Sequence, residues 1–141
     1  MKKLFIVILL IFFSANKTYA EDYNWSAVVS TTDGSTDFYI DKKSVRKVGK
    51  FHYFWMMADY IKLEQGDNPN VRSNISFNIL NCKTNEFKMV THTSFVRNKA
   101  RGKIDMDEII PDFDISYFDW KYYADDTSFG MVFSKVCKLG I

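Results

Sequence analysis

The alternation of apolar and polar residues predicts a chain made mostly of β-strands. It is most regular over residues 74–80, where apolar side chains are expected to face a core and polar ones to face out. The inward set is Ile75, Phe77 and Ile79, and the outward set is Asn74, Ser76 and Asn78. The stretch 51–63 is apolar on both faces, which predicts a central strand covered on both sides.

Other segments read as shorter or flanking strands. Residues 24–31 alternate, with Trp25, Ala27 and Val29 on one face. Residues 38–40 and 87–96 are rich in aromatic and β-branched residues, as strands are. Phe118, Trp120 and Tyr122 alternate with polar neighbours and indicate a last extended segment.

Near its C-terminus the chain changes to a helical period. Phe129, Val132, Phe133 and Val136 form one stripe of a helix. Asp126, Thr127 or Ser128 can cap that helix. Gly130 inside it costs about 1 kcal/mol relative to Ala. The predicted fold is α+β, mainly β: a single antiparallel sheet of five to six strands with a C-terminal helix.

Residues 1–20 have the order of a secretory signal peptide. Two lysines precede ten apolar residues, Leu4 to Phe13, and Thr18-Tyr19-Ala20 offers a cleavage site before Glu21. We expect residues 1–20 to be removed and residues 21–141 to form one domain. The first cysteine is Cys82, so a lipid anchor is not expected, and the product should reside in the periplasm, outside the cell or at its surface.

An exported chain with two cysteines predicts a disulfide, Cys82–Cys137, that ties the helix to the sheet. The alternative is two free buried thiols. Two cysteines supply only half of a tetrahedral zinc shell.

Charge and composition exclude several classes. Without Lys2, Lys3 and Lys17 the chain has 16 positive and 17 negative side chains. That balance disfavours a nucleic-acid partner, which selects for a basic excess. The 47% hydrophobic and 17% aromatic content disfavours disorder.

Catalytic and metal chemistry find little support, so we predict no catalytic residue, no metal and no cofactor. His52 and His92 are the only histidines, each in a predicted strand, and no nucleophile, zinc or nucleotide motif accompanies them. An acidic segment spans Lys103 to Asp114. Its carboxylates are Asp105, Asp107, Glu108, Asp112 and Asp114, whose spacing fits a solvated loop better than a calcium loop.

Basic residues give the one candidate binding surface. Five cations fall within nine residues: Lys42, Lys43, Arg46, Lys47 and Lys50. Such a group can meet a sulfated glycan, an acidic protein patch or anionic lipid, although most charge runs at turns are simply solvated. A second group flanks the later hairpin and is interpreted the same way: Lys83, Lys88, Arg97, Lys99, Arg101 and Lys103.

The order of conspicuous residues resembles the bacterial surface-adhesin protein E family. The matching residues are Trp25, Phe38-Tyr39-Ile40-Asp41, Ser44, Gly49, Trp55, Asp59-Tyr60, Cys82, Trp120 and Val136-Cys137. The resemblance implies an antiparallel sheet with a disulfide-tied C-terminal helix in an exported protein of Gram-negative bacteria. It also implies adhesion to host matrix and serum proteins, with haem binding by a dimer described for the founding member.

Two features depart from that pattern. The anchoring cysteine of the founding lipoprotein is absent, and residues 124–128 lack the expected Pro-Gly turn. No ligand-binding residue can be transferred. We therefore expect a secreted, non-enzymatic binding module for a protein partner, with a homodimer possible. The alternative is a periplasmic protein that binds a small ligand such as haem, or an envelope accessory protein.

Overall fold

The computed structural model describes residues 23–63, 67–109 and 119–139. The predicted signal peptide, Phe118, Asp112 and Asp114 lie outside these residues. The strands are β1 Trp25–Ser30, β2 Thr36–Asp41, β3 Arg46–Val48, β4 Phe51–Tyr60, β5 Ser73–Asn81, β6 Glu86–Arg97, β7 Arg101–Ile109 and β8 Lys121–Tyr122. A 3-10 helix spans Lys42–Ser44, and α1 spans Ser128–Lys138.

All strand pairs are antiparallel and belong to one sheet. Six strands follow the order β1-β2-β4-β5-β6-β7, while β3 extends the β2 side of β4 and β8 pairs with β6. The prediction of one antiparallel sheet with a C-terminal helix is confirmed. The two short strands, β3 and β8, are the additions to the predicted five or six.

The helix covers one side of the sheet, which we call the helix face. Thr127 caps α1 because its Oγ accepts a hydrogen bond from the Gly130 N–H at 3.0 Å. The predicted stripe then packs on the sheet, and the ring of Phe133 meets that of Phe54 edge-on at 5.9 Å. Val132, Phe133 and Val136 are fully buried. The disulfide Cys82–Cys137 joins the end of β5 to this helix, as predicted.

The polar side of β5 belongs to the core, which contradicts the sequence prediction. Ser76 and Asn78 are fully buried on the helix face. On the other side of β5, Ile75 and Ile79 are buried as predicted, and Phe77 is half-buried. Asn78 Nδ2 donates to Ser76 Oγ at 2.9 Å. The alternation was predicted correctly, but Ser76 and Asn78 were wrongly predicted to face solvent. Two polar side chains can be buried under the helix when they hydrogen-bond to each other.

Two other expectations fail for local reasons. A bulge between Ala27 and Val29 shifts the register of β1, so Val29 pairs with Phe38 and lies on the opposite face from Ala27. The segment expected to be an acidic loop begins as strand β7, which pairs with β6 as far as Ile109. Asp105 is exposed within it.

Candidate functional site

The five predicted cations lie together at one corner of the sheet, and we call them the basic hairpin. Lys42 and Lys43 are on the 3-10 helix, Arg46 and Lys47 on β3, and Lys50 in the turn into β4. All five side chains are exposed, and none forms an ion pair with a described residue. The structure thus presents an uncompensated positive surface at this corner.

Local hydrogen bonds shape the basic hairpin. The Asp41 carboxylate caps the 3-10 helix by accepting from the Lys43 N–H at 3.1 Å. Ser44 Oγ accepts from the Trp55 N–H at 3.0 Å, which fastens this turn to β4. Gly49 has φ +60°, a conformation that glycine adopts without strain, and reverses the chain between β3 and β4. The cations therefore project from a fixed backbone.

His52 lies beneath the basic hairpin, beside the disulfide. Its Nδ1 is 3.2 Å from Cys82 Sγ, and the residue pairs with Lys47 across β3 and β4. Burial lowers the pKa of His52, and the positive charge of Lys47 lowers it further. A neutral, buried imidazole against a disulfide is a packing element of this corner.

The side of the sheet opposite α1 is the open face, and it is lined with aromatic rings. The half-buried rings on it are Tyr23, Trp25, Tyr39, Phe51, Tyr53, Trp55, Phe77 and Trp120. Trp55 and Phe77 have centroids 5.1 Å apart, and Tyr23 contacts both Trp55 and Trp25. These eight aromatic side chains are therefore partly accessible to solvent on the open face.

Two aromatic rings of the open face, near the start of β4, are flanked by lysines. Phe51 and Trp120 stack with centroids 5.4 Å apart and planes 17° apart. The Lys50 ammonium lies 5.1 Å from the Phe51 centroid, and the Lys88 ammonium lies 4.8 Å from the Trp120 centroid. We call Lys50, Phe51, Lys88 and Trp120 the basic–aromatic patch.

The second basic group is not a uniform solvated surface. Lys88 is 3% exposed, and Lys99 ion-pairs with the fully buried Asp59 at 3.4 Å. Burial alone would lower the pKa of Lys99, but the contacts with Tyr39 and Asp59 outweigh it and raise the pKa. Both lysines were expected to be solvated, and both instead contact aromatic rings.

A cavity of about 260 Å³ lies on the helix face, between β4, β5 and β6 and the described residues of the β4–β5 connection. Its lining is Tyr60, Leu63, Asp67, Asn68, Val71, Asn74, His92 and Ser94. Asn74 Nδ2 donates to the Tyr60 hydroxyl at 2.5 Å. Burial raises the pKa of Tyr60, the Asn74 bond opposes this rise, and the charge of Asp67 adds to it.

Within the part of the chain that the structure describes, no three His, Cys, Asp or Glu side chains converge as metal ligands would. The same residues contain no helix that is long and apolar enough to cross a membrane. His52 and His92 lie at different places on the helix face: His52 is opposite Leu80, and His92 is opposite Ser76.

Sequence reasoning missed the basic–aromatic patch and the cavity. Phe51, Lys88 and Trp120 are far apart in sequence, and only the pairing of β4, β5, β6 and β8 brings them together. Tyr60 and His92 carry no shared motif either. The one available signal was residue type: aromatic residues with basic neighbours in a predicted strand can lie either in the core or on the surface.

Comparisons with known proteins agree with this architecture. The family model described as Surface-adhesin protein E matches residues 25–138. A structure of Haemophilus influenzae protein E is similar at 15% identity, with 87% of this chain and 89% of that chain covered and a TM-score of 0.53. Its crystal form II is similar at 14% identity, with 79% and 86% covered and a TM-score of 0.53. No curated protein sequence matches the chain significantly.

Proposed function

Because the chain belongs to the surface-adhesin protein E family, we propose that it is an exported, non-enzymatic adhesin whose ligand is a host matrix or serum protein. The family is one of surface adhesins, which are not an enzyme class. Family membership identifies no ligand, so the surface of this chain must indicate the partner.

The basic hairpin is the observation that carries the proposal. Its five cations are exposed and form no ion pair with a described residue, so their field extends into solvent. A positive surface of this kind accelerates encounter with an acidic partner and favours it over basic ones. The Arg46 guanidinium donates to the carbonyl oxygens of Lys43 and Val45, at 2.6 and 2.7 Å, which holds it close to the hairpin backbone.

The alternative, a periplasmic small-ligand or envelope accessory protein, is supported by the cavity beside Tyr60 and His92. Its volume of about 260 Å³ is below the range of roughly 300–1,000 Å³ typical of drug-sized ligands. A porphyrin exceeds that space, so the cavity favours a smaller ligand than haem. The location of the protein separates the two proposals.

A possible homodimer also stays a prediction. A free edge of the sheet is one place where two copies can pair. In β1, however, the bulge at Ala27 to Val29 interrupts the regular edge, and the Lys135 ammonium donates to the Val28 carbonyl oxygen. Both features disfavour strand addition at β1.

The first experiment is protease treatment of intact cells followed by fractionation. We expect the protein to be cleaved on intact cells or released to the medium. Confinement to the periplasm would exclude host adhesion and favour the small-ligand alternative.

The second experiment measures binding to immobilised matrix and serum proteins over a range of salt concentrations. A triple variant, Lys42→Gln with Lys43→Gln and Lys47→Gln, should weaken binding about 10-fold or more at low salt, because each rim charge contributes up to about 1 kcal/mol. The matched control replaces three exposed lysines elsewhere, Lys62, Lys103 and Lys138, with Gln. An equal loss of binding affinity in the control would show that the basic hairpin is not the binding surface.

A further inference from the structure

His52 contacts one end of the disulfide, and it does so through a nitrogen atom. Its Nδ1 lies 3.2 Å from Cys82 Sγ. His52 is opposite Leu80 across β4 and β5, and Leu80 and Cys82 are two residues apart, so all three side chains lie on the helix face. The described residues offer Cys137 Sγ no such contact. The two sulfur atoms of the bridge therefore have different surroundings.

The contact determines which nitrogen of the imidazole carries the proton. Burial, and then the charge of Lys47, lower the pKa of His52, so the ring is neutral at physiological pH and has one N–H group. A disulfide sulfur carries no hydrogen and can only accept a hydrogen bond. The Nδ1 of His52 is therefore the protonated nitrogen, and it donates to Cys82 Sγ. Such a bond becomes stronger when the sulfur becomes a negatively charged thiolate.

Cys137 is less suited to carry a negative charge. It is the penultimate residue of α1, where the carbonyl groups of the last turn and the negative end of the helix dipole oppose a thiolate. The exposed Lys138 beside it offsets part of that effect. Cys82 lies outside the helix, next to the exposed Lys83, and also has the His52 N–H. A thiolate is therefore stabilised more at Cys82 than at Cys137.

This asymmetry decides which sulfur a nucleophile attacks. In thiol–disulfide exchange an incoming thiolate bonds to one sulfur and expels the other, and the sulfur that better stabilises negative charge leaves faster. Both cysteines are partly exposed, so a thiol can reach the bridge. We infer that Cys137 is the residue at which an exported dithiol protein forms a mixed disulfide with this chain, and that His52 directs the exchange there by stabilising the departing Cys82 thiolate.

The exchange consists of two displacements. A thiolate of the dithiol protein bonds to Cys137 Sγ, the Cys82–Cys137 bond breaks, and Cys82 leaves with the bonding electron pair while His52 donates its hydrogen bond. The second thiol of the partner, after giving its proton to water, attacks the partner's own sulfur and expels the Cys137 thiolate. The partner is oxidised to a disulfide, this chain gains two electrons, and both cysteines take protons from solvent. In the reverse direction the same steps form the bridge, with Cys82 attacking a mixed disulfide on Cys137.

The first test traps the mixed disulfide with glutathione, a monothiol that cannot complete the second displacement. The oxidised full chain, purified after export, reacts briefly with reduced glutathione, is quenched with acid and is digested with pepsin for mass spectrometry. We expect glutathione on Cys137 about 10-fold more often than on Cys82. Equal labelling, or a preference for Cys82, would overturn the inference. The test involves no adhesive ligand, so its outcome is independent of the matrix-protein binding experiment.

Substitution of His52 separates a directing role from packing. His52→Leu removes the N–H and should lower the ratio of Cys137 to Cys82 adducts at least about 3-fold. His52→Asn, whose Nδ2 can occupy the place of Nδ1, should keep the ratio within about 2-fold of the parent. His92→Leu, on the same face opposite Ser76, is the control and should leave the ratio unchanged. Faster reduction at both sulfurs of His52→Leu with an unchanged ratio would mean that the imidazole only packs there, which overturns its directing role.

A measurement on the unsubstituted protein keeps the inference testable if His52→Leu does not fold. Nitrogen NMR of isotope-labelled imidazole rings at about pH 7.5 distinguishes a protonated Nδ1 from a protonated Nε2. We expect Nδ1–H for His52 in the oxidised protein. Nε2–H as its dominant tautomer would overturn the inference, since Nδ1 would then have no proton to donate to Cys82 Sγ.

Discussion

The carboxylate of Asp59, fully buried in β4, accepts a hydrogen bond from the backbone N–H of Lys99 at 2.9 Å. Lys99 and Ala100 both have positive φ, 61° and 51°, which non-glycine residues adopt at a cost. Asn98 Nδ2 donates to the same carboxylate at 2.9 Å. The buried acid therefore holds the β6–β7 turn in a conformation that its own residues disfavour.

Replacing Asp59 should destabilise the protein strongly. Asp59→Ala leaves the Lys99 N–H without its acceptor and removes the ion pair with the Lys99 ammonium. It also releases a strained turn, although Asn98 Nδ2 keeps its bond to the Tyr60 carbonyl oxygen. We therefore expect a loss of about 2–4 kcal/mol in the free energy of unfolding. Urea denaturation measures it. Asp105→Ala, at an exposed position of β7, is the control and should change stability by less than about 0.5 kcal/mol. Similar losses in both variants would contradict this role for Asp59.

Gly130→Ala should destabilise the protein although alanine is the better helix former by about 1 kcal/mol. A Cβ at residue 130 would lie 2.0 Å from the Ala124 carbonyl oxygen, which also accepts from Thr127 Oγ at 2.7 Å. The expected loss is about 1–3 kcal/mol, seen as a lower thermal midpoint. Ser134→Ala on the same helix is the comparison and should be neutral or stabilising. A higher midpoint for Gly130→Ala would show that the contact relaxes freely.

The double variant Ser76→Ala with Asn78→Leu should leave stability unchanged or raise it by about 1 kcal/mol, because it removes both side chains of the buried hydrogen-bonded pair together. Asn78 Oδ1 is buried without a hydrogen-bond partner among the described residues, and such an acceptor carries a desolvation penalty. The contrast is Asn74→Leu, which removes the bond to the Tyr60 hydroxyl and should cost about 1 kcal/mol. Chemical denaturation of both proteins checks the signs. A marked loss in the double variant would indicate a buried water on Asn78 Oδ1.

His52 should make stability increase with pH near neutrality. Burial and then Lys47 lower the pKa of His52 in the folded state, so between that pKa and about 6.5 the unfolded chain binds more protons. Stability is then lost as pH falls through this window and is fully present above it. His52→Gln should flatten this slope in urea midpoints measured between pH 5 and about 7.5. His92→Gln is the control for the other histidine, and a greater effect there would contradict the assignment.

Removing the disulfide by Cys82→Ala with Cys137→Ala should lower the free energy of unfolding by roughly 4 kcal/mol, because the unfolded chain regains the entropy of a long loop. The loss should appear in both thermal and urea midpoints. Reduction of the parent protein should match the double variant. A loss below 1 kcal/mol would mean that packing of Phe133 and Val136 fixes the helix alone.

The spacing of apolar residues predicted most strands and the helix correctly, because on a regular backbone that spacing follows the buried side. Val132, Phe133 and Val136 were correctly assigned to a buried helix stripe, and Cys82 was correctly paired with Cys137. The face of Val29 could not be predicted, since one inserted residue reverses the alternation and leaves no local signal.

The remaining wrong predictions concern residues whose burial depends on contacts with residues distant in sequence. Ser76 and Asn78 are polar, and the hydrogen bonds from Asn78 Nδ2 to the Ser76 hydroxyl and carbonyl oxygens make their burial tolerable. The sequence predicted Lys88 and Lys99 to be solvated. The fold instead places Lys88 against the Trp120 ring and Lys99 against the buried Asp59 carboxylate, both distant in sequence. The basic hairpin was found because its cations are sequential, whereas the basic–aromatic patch is assembled from three separate segments.

The disulfide also determines how the protein responds to a cut in its backbone. Cys82 and Cys137 are separated by 55 residues, an interval that includes β6, β7 and β8. A single proteolytic nick anywhere between them leaves both pieces joined through sulfur, so a nicked molecule runs as one band on a gel without reductant and as two with it. A nick in the β1–β2 turn would instead free the N-terminal strand, which only non-covalent contacts would then retain.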